Sequence, residues 1–308
     1  MGDQQVNSKI GSEGIVQGVI SAVLHQTGIF LVFFAVPVQM LAVKRGIRQY
    51  VNAAMFSLGV IALWKGFQIL RLSAPYADSV LIMLDLLLPA SLFVGLGCLN
   101  FCSFGRHSEW QRLSFGTLIA VIGIVPLLLY ARQSPVLVAI VEMQHEVFSE
   151  QGMMNGVTRQ ELLDQLVTIL FRGIGGVVAA LLAISYYFGS SLAGSRQLLQ
   201  RLVIPRYTIG IAAAAVVLIM IGAWTPLDLL LWNIAAILGV QYSLSGMALV
   251  SGALSRRFPG GQGRYLVIGV LLLVLFVPFV NVVVLVSLPV AGIVETVVRI
   301  RERYWIKE

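Results

Sequence analysis

The stretch Trp232–Arg257, WNIAAILGVQYSLSGMALVSGALSRR, is the part of this chain that decides its fold class. It is apolar and exceeds the roughly 20 residues of helix that cross the hydrocarbon of a bilayer. Asn233, Gln241 and Ser245 nevertheless interrupt it where lipid would favour leucine. We therefore predict a membrane span that is buried among other helices.

Two stripes of small or polar residues follow this span at helical spacing. The first stripe consists of Gly239, Ser243 and Gly246. The second stripe consists of Gln241, Ser245, Ala248 and Gly252. Because small residues let helix backbones approach closely, we expect neighbours on two sides of the helix, with the first stripe as a packing surface.

The composition extends this interpretation to the whole chain. Of the 308 residues 58% are hydrophobic and 11% are charged, and the mean hydropathy is +0.90. A soluble domain carries about 25% charged residues. The sequence therefore predicts an all-α fold, a polytopic integral membrane helical bundle with about 8–10 crossings, in a single membrane domain over residues 1–308.

The basic residues indicate which ends face the cytoplasm. The net charge is +7, and 15 of the 21 Lys and Arg residues lie in five clusters beside apolar runs. Cytoplasmic loops of membrane proteins show this pattern, so we expect the lipid bilayer rather than nucleic acid as the partner. The expected location is a bacterial cytoplasmic (inner) membrane, with the tails 1–12 and 296–308 in the cytoplasm.

Two apolar runs are long for one helix and short for two. We interpret the first run as helices over Ser12–Leu24 and Ile29–Val43, with a turn at Gln26–Gly28. The last run, Tyr265–Val294, is expected to be a hairpin that bends near Pro278–Asn281. Both hairpins keep the flanking basic clusters on one side of the membrane.

The region 133–159 is the longest stretch that is not predicted to span. Apolar residues and glutamates alternate in it at helical spacing, which predicts an amphipathic helix at the outer interface. Thr158 and Glu161 then form a capping-box pattern that starts the next helix, whose first two turns should project from the membrane.

Two charged residues lie inside predicted spans. Lys65 and Asp85 each lie about six residues from the outer end of a span, so both are about 9 Å deep. Since an unpaired charge in a membrane costs a few kcal/mol or more, we expect an ion pair between them. The pair either neutralises the two charges structurally or binds a charged group of a ligand in an outward-facing cavity.

Other polar residues lie in the predicted spans. Asn233 and Gln241 are candidates for lining a cavity, because they share a helix whose faces look buried. The others are expected to form interhelical hydrogen bonds: His25, Gln26, Gln68, Asn100 and Asn281.

Neither metal binding nor catalysis has a convincing pattern. Cys98 and Cys102 share a helix face, but two thiols do not make a metal site, so we expect buried apolar thiols and no disulfide. The spacing of Glu142, His145 and Glu146 suits a solvated helix face better than a metal site. With no Walker A loop, Gly-x-Ser-x-Gly or His-Glu-x-x-His motif, we expect no enzyme, cofactor or metal, although an intramembrane enzyme stays an alternative.

Four short motifs together resemble the YybS-like family of bacterial multispanning membrane proteins. The motifs are Ser12-Glu13-Gly14, the Pro37 helix that ends in Lys44-Arg45-Gly46, Ser245-Gly246-Met247-Ala248, and Gly292-x-x-Glu295 followed by Arg299-x-Arg301-x-Arg303. The last motif of the family usually ends in Asp, and this chain has Glu295. The resemblance covers essentially the whole chain.

This family is distantly similar to the substrate-binding S-components of energy-coupling-factor transporters, which dock onto a coupling protein through small residues of their first helices. The resemblance implies that Gly14, Gly18 and Ala22, spaced by four residues, are a docking flank for a partner subunit. This chain has more predicted spans than the usual six, and no residue set matches a vitamin site.

Two functions follow as hypotheses. The first is an S-component-like subunit that binds or transports a small molecule and works with a separate energising complex in the membrane. The alternative is a non-transporting scaffold in cell-envelope assembly or division, which contacts a partner through its outer segment 133–159.

Overall fold

Helices form the regular structure in the part of the chain that the computed structural model describes. The described residues are 2–28, 30–71, 79–102, 108–131, 138–139, 141–143, 145, 158–195, 198–222, 225–257 and 278–301. No strand occurs among these residues, so the predicted all-α class is confirmed for this part of the chain.

The longer helices follow one another along the chain. They are α1 (Gly2–Gln26), α2 (Val36–Arg45), α3 (Ile47–Arg71), α4 (Ser79–Phe101), α5 (Glu109–Ala131), α6 (Arg159–Leu192), α7 (Tyr207–Ile221), α8 (Thr225–Arg257) and α9 (Pro278–Val298). Single 3₁₀ turns cover Leu31–Phe33 and Leu199–Arg201.

Among the described residues, three helices are long and apolar enough to cross a membrane. They are α3, α6 and the part of α8 from Leu227 to Leu254. Shorter apolar segments occupy Asp85–Phe101, Tyr207–Ile221 and Val283–Val298. The predicted 8–10 crossings stay a prediction, because several connecting segments lie outside the described residues.

Large apolar side chains cover much of the outer surface of these helices. Leu70 of α3 is 88% exposed, Met220 of α7 is 81% exposed and Leu285 of α9 is 63% exposed. A soluble monomer rarely exposes extended apolar patches, whereas lipid solvates them well. The exposed surface therefore fits a membrane-embedded protein.

The first apolar run contains the predicted turn, but its helices have other bounds. Gly28 has a φ of +67°, and the chain reverses there, close to the predicted turn at Gln26–Gly28. Helix α1 already begins at Gly2 instead of Ser12. The second helix begins at Val36 instead of Ile29, because Pro37 lacks an N–H and fits the first turn of a helix.

The reversal brings the two ends of this hairpin together. Arg45, at the end of α2, donates from Nε to Glu13 Oε2 at 3.0 Å and from Nη2 to Glu13 Oε1 at 3.1 Å. The end of α2 therefore lies on the same side as the N-terminal part of α1, as predicted. Which side of a membrane this is stays a prediction.

The contacts divide the chain into two compact units. The first unit contains Met1–Ser103 and Phe115–Gly194, and the second contains Phe104–Ser114 and Ser195–Glu308. A single membrane domain over residues 1–308 stays a prediction.

Helix α2 lies in the core of the first unit. It packs against α1, α3 and α6, and Val36, Val38 and Leu41 are among its buried residues. Its one amide side chain, Gln39, is fully buried, and its Nε2 donates to Asn100 Oδ1 at 3.1 Å and to Ser190 Oγ at 3.0 Å.

The side-chain amides of Gln39 and Asn100 bond each other in both directions. Asn100 Nδ2 donates back to Gln39 Oε1 at 2.7 Å and to the carbonyl oxygen of Leu96, also at 2.7 Å. Gly189 makes room for it, because a Cβ there would lie 2.8 Å from the Gln39 side chain. Asn100 is thus an interhelical hydrogen-bond partner, as predicted, and α2, α4 and α6 are held together by polar contacts.

Helix α6 begins with the predicted capping box. Thr158 Oγ1 accepts from Glu161 N at 3.2 Å, and Glu161 Oε2 accepts from Thr158 N at 2.8 Å. Its 34 residues measure about 50 Å, which exceeds the hydrocarbon thickness of about 30 Å.

Part of the predicted amphipathic segment packs on the start of α6. Of region 133–159, residues 138–139, 141–143 and 145 are helical, 158 and 159 belong to the start of α6, and the rest lies outside the described residues. Val141 is buried in a cluster with Leu163 and Val167, and Arg159 pairs with Glu142 at 3.4 Å. The segment thus contacts its own chain, and its position at a membrane interface stays a prediction.

In the second unit, α8 packs against α7 and α9. Ile204, Leu238 and Tyr242 form a buried cluster, against which Trp110 packs. Helix α9 begins at Pro278 and continues through Asn281, so only the start at Pro278 matches the predicted bend. The other arm of the predicted hairpin, 265–277, lies outside the described residues.

Candidate functional site

Lys65 and Asp85 form the predicted ion pair in the first unit. Lys65 Nζ on α3 lies 2.5 Å from Asp85 Oδ2 on α4, since α3 and α4 pack side by side. The side chains are 19% and 30% exposed. Among the described residues nothing else bonds to either side chain, so the pair has spare donors and acceptors.

His25 lies beside this pair at the end of α1. Its side chain is 5% exposed, and its ring packs edge-on against Phe34 at a centroid distance of 5.1 Å. The charges of Lys65 and Asp85 both act electrostatically on its ring. The described residues offer no hydrogen-bond partner to His25 Nδ1 or to the neighbouring Gln26 Nε2.

The sequence predicted an interhelical hydrogen bond for His25, and the structure instead leaves its Nδ1 without one. Helix α1 runs in the same direction as α3, as the pairs Gly14 with Gln49 and Ser21 with Ser57 show. This shared direction places the end of α1 near the C-terminal part of α3, which carries Lys65. A signal was present in the sequence, because the predicted hairpin already placed His25 near the outer face, where Lys65 and Asp85 were expected.

Gln241, a predicted cavity residue, bonds to α5 instead. Its side chain is 1% exposed, Oε1 accepts from Trp110 Nε1 at 2.6 Å, and Nε2 donates to Ser114 Oγ at 2.9 Å. The carbonyl oxygen and the N–H group of this amide are thus both bonded to a neighbouring helix. Cavity lining by Gln241 stays a prediction, since its described contacts are those of helix packing.

Asn233 also has a local partner. Its Nδ2 donates to the carbonyl oxygen of Leu229 in its own helix at 2.8 Å. This bond holds the amide against the backbone of α8. A cavity shared with Gln241, which lies two turns further along α8, stays a prediction.

The predicted docking flank packs against α3. A Cβ at Gly14 would lie 2.7 Å from Gln49 Oε1, a Cβ at Gly18 would lie 2.6 Å from the carbonyl oxygen of Ala53, and Ala22 is fully buried. These small residues allow α1 and α3 to touch, as their spacing predicts. A separate protein would have to displace α3 to use this flank, so a docking role stays a prediction without support from this packing.

The predicted packing stripe of α8 is realised at Gly246. A Cβ there would overlap the carbonyl oxygen of Leu288, and a Cβ at Gly292 would overlap the carbonyl oxygen of Tyr242. Gly239 has no described atom within 4 Å of the Cβ position, and Ser243 Oγ donates to the Gly239 carbonyl oxygen at 2.8 Å. Packing at Gly239 therefore stays a prediction, and the described crossing with α9 lies two turns further along α8.

The second stripe is buried throughout. Gln241 and Ser245 are each 1% exposed and Ala248 is fully buried, and Gly252 is also buried. Neighbours on two sides of α8 were thus predicted correctly.

The second unit contains an ion pair that the sequence did not predict. Arg301 Nε donates to Glu295 Oε1 at 2.8 Å, and each side chain is 6% exposed. Arg301 also donates to the carbonyl oxygens of Gln200 at 3.1 Å and Leu202 at 2.8 Å, and to Ser245 Oγ at 3.2 Å. These bonds join α9, α8 and the turn before α7.

A left-handed residue makes this geometry possible. Arg299 has a φ of +53°, which a residue with a side chain seldom adopts. The turn lets Arg301 fold back, while the backbone N–H groups of Ile300 and Arg301 donate to the Glu295 carboxylate at 3.1 and 3.3 Å. Glu295 and Ser245 belong to the motifs that carry the family resemblance, and this was the only signal for the contact.

The described residues contain no group of three or more His, Cys, Asp or Glu side chains arranged to hold a metal ion. Cys98 is half-buried and Cys102 is exposed, and both thiols are free. Burial of both thiols, as the sequence predicted, therefore does not hold for Cys102, which lies just beyond the end of α4.

No protein-family model, no curated protein and no solved structure matches the chain. The resemblance to the YybS-like family thus stays a prediction. Fold and site together define the class only: an all-helical protein with helices that fit a membrane and a partly exposed charge cluster among them.

Proposed function

We propose that this protein is an integral membrane protein of the bacterial cytoplasmic membrane that binds a small charged molecule at Lys65 and Asp85. The observation that carries the proposal is the ion pair itself, because its side chains are partly exposed and keep unused bonding capacity. A charge inside a membrane helix is costly and usually serves a function.

The proposal includes a transport role as an S-component-like subunit with a separate energising complex. The chain has no Walker A loop, so an ATP-driven step would need a partner subunit. The family resemblance supports such a partner. The docking surface is left open, because α3 covers Gly14 and Gly18.

The experiment compares ligands that copurify with the wild-type protein and with Lys65→Met. We expect mass spectrometry of the extracts to find a small molecule in the wild type and at least tenfold less of it in the variant. Gly239→Ala is the matched control, since no described atom lies near that position. Equal recovery from folded Lys65→Met protein would contradict the proposed site.

The scaffold alternative receives no specific observation of its own. Its predicted contact surface was the outer segment, and the described part of that segment packs Val141 on α6. Copurification separates the two functions: ATPase subunits or a small molecule support the first, and envelope-assembly proteins support the second.

A further inference from the structure

His25, Lys65 and Asp85 form a cluster whose net charge depends on one proton. The ammonium of Lys65 and the carboxylate of Asp85 cancel when the imidazole is neutral. A proton on His25 gives the cluster a net charge of about +1. Because net charge inside a protein or membrane is costly, this state favours binding of a compensating anion.

The geometry allows both a proton and an anion to be accepted without breaking a contact. His25 Nδ1 is buried and has no partner among the described residues, so it can take a proton without losing a bond. Lys65 Nζ has three donors and uses one of them on Asp85, which leaves donors for an anion. A cation at the free oxygen of Asp85 would instead be repelled by the Lys65 ammonium and by a protonated imidazole.

Among the described residues, the elements packed on α1 bring no charge to His25 besides Lys65 of α3 and Asp85 of α4. The 3₁₀ turn after α1 and the start of α2 contribute Phe34 and aliphatic side chains, among the described residues. Arg45, at the far end of α2, is paired with Glu13.

We propose that this site binds one small monovalent anion, such as a carboxylate, together with one proton, with the anion on Lys65 and the proton on His25. This inference rests on the proposed function and specifies its ligand class. The proton comes from water and goes to the free imidazole nitrogen. Since linkage is reciprocal, the anion strengthens proton binding as much as the proton strengthens anion binding.

The test follows the protonation of His25 by ¹⁵N NMR in the full chain, labelled at its three histidines. The probes are sodium acetate and sodium nitrate, with ionic strength held constant by sodium gluconate, whose anion is bulky. We expect the pH midpoint of His25 to rise by up to about one unit for each tenfold increase in acetate or nitrate. His25→Gln identifies the signal by its loss.

Two variants make the test specific. In Lys65→Met the anion should leave the His25 midpoint unchanged. In Asp85→Asn the Lys65 ammonium has lost its counter-charge, so acetate should also bind at high pH, where His25 is neutral. This second variant keeps the test valid if Lys65→Met does not fold.

The outcomes separate the inference from the proposed function. If neither anion moves the His25 midpoint, or if Lys65→Met shows the wild-type shift, the coupling of anion and proton is wrong. If the copurified ligand is still lost in Lys65→Met, the site stands and only its ligand class is wrong. If the ligand persists in folded Lys65→Met, the proposed function itself fails.

Discussion

Each unit contains an ion pair among its helices, and the two pairs differ in how fully their polar atoms are bonded. Arg301 and Glu295 are 6% exposed, and backbone groups and Ser245 bond the remaining atoms. Lys65 and Asp85 are 19% and 30% exposed and bond only each other among the described residues. A fully bonded pair fixes one geometry, whereas a pair with spare capacity can accept another charge.

Removing one member of the fully bonded pair should have the largest effect. In Arg301→Met the buried Glu295 carboxylate loses its counter-charge, and the carbonyl oxygens of Gln200 and Leu202 lose their donor. We expect the free energy of unfolding to fall by about 3–5 kcal/mol, measured by SDS titration in mixed micelles. Arg201→Met, at an exposed side chain, is the control and should change it by less than about 0.5 kcal/mol.

The close helix crossing beside this pair should be the next most sensitive feature. In Gly292→Ala the added methyl group overlaps the carbonyl oxygen of Tyr242, so α8 and α9 must separate. We expect a loss of about 1–3 kcal/mol in the same titration. Gly239→Ala is the matched control and should gain up to about 1 kcal/mol from helix propensity. Equal losses in both variants would show that the crossing at Gly292 is not decisive.

Removing a single acceptor should cost less, because the pair has several. Ser245→Ala deletes one bond to Arg301 Nη2, which still donates to Leu202. We expect a loss of about 1 kcal/mol. A loss as large as that of Arg301→Met would mean that Ser245, rather than Glu295, holds the arginine.

Replacing both members of the open pair by apolar residues should have the smallest effect on stability. In the double variant Lys65→Met/Asp85→Leu no charge is left unpaired, so we expect a change within about 1 kcal/mol. The matching double variant Arg301→Met/Glu295→Leu should still lose several kcal/mol, because carbonyl and N–H groups stay unpaired. Similar losses in the two double variants would remove the distinction between the pairs.

The sequence predicted features that depend on local rules. The turn before Gly28 and the capping box of Thr158 follow from glycine conformation and side-chain chemistry. The buried second stripe of α8 followed in the same way from helical spacing. These predictions needed no knowledge of which helices are neighbours.

The features that the sequence could not predict are those that depend on which helices pack against each other. Spacing marks Gly239 and Gly246 equally, and only the crossing with α9 distinguishes them. Small residues at Gly14 and Gly18 indicate a close contact but do not say whether it lies within the chain. The bond between Arg301 and Ser245 requires the left-handed turn at Arg299, which no local pattern predicts.

The burial of α2 has a consequence for how the chain enters a membrane. Helix α2 has 10 residues, about 15 Å, so it cannot cross the hydrocarbon as a lone segment. Among the described residues, Gln39 obtains its amide bonds from Asn100 and Ser190, which are synthesised later. During synthesis the Gln39 amide therefore lacks these partners until α4 and α6 have been made. The order in which helices leave the ribosome thus differs from the order in which this unit can close.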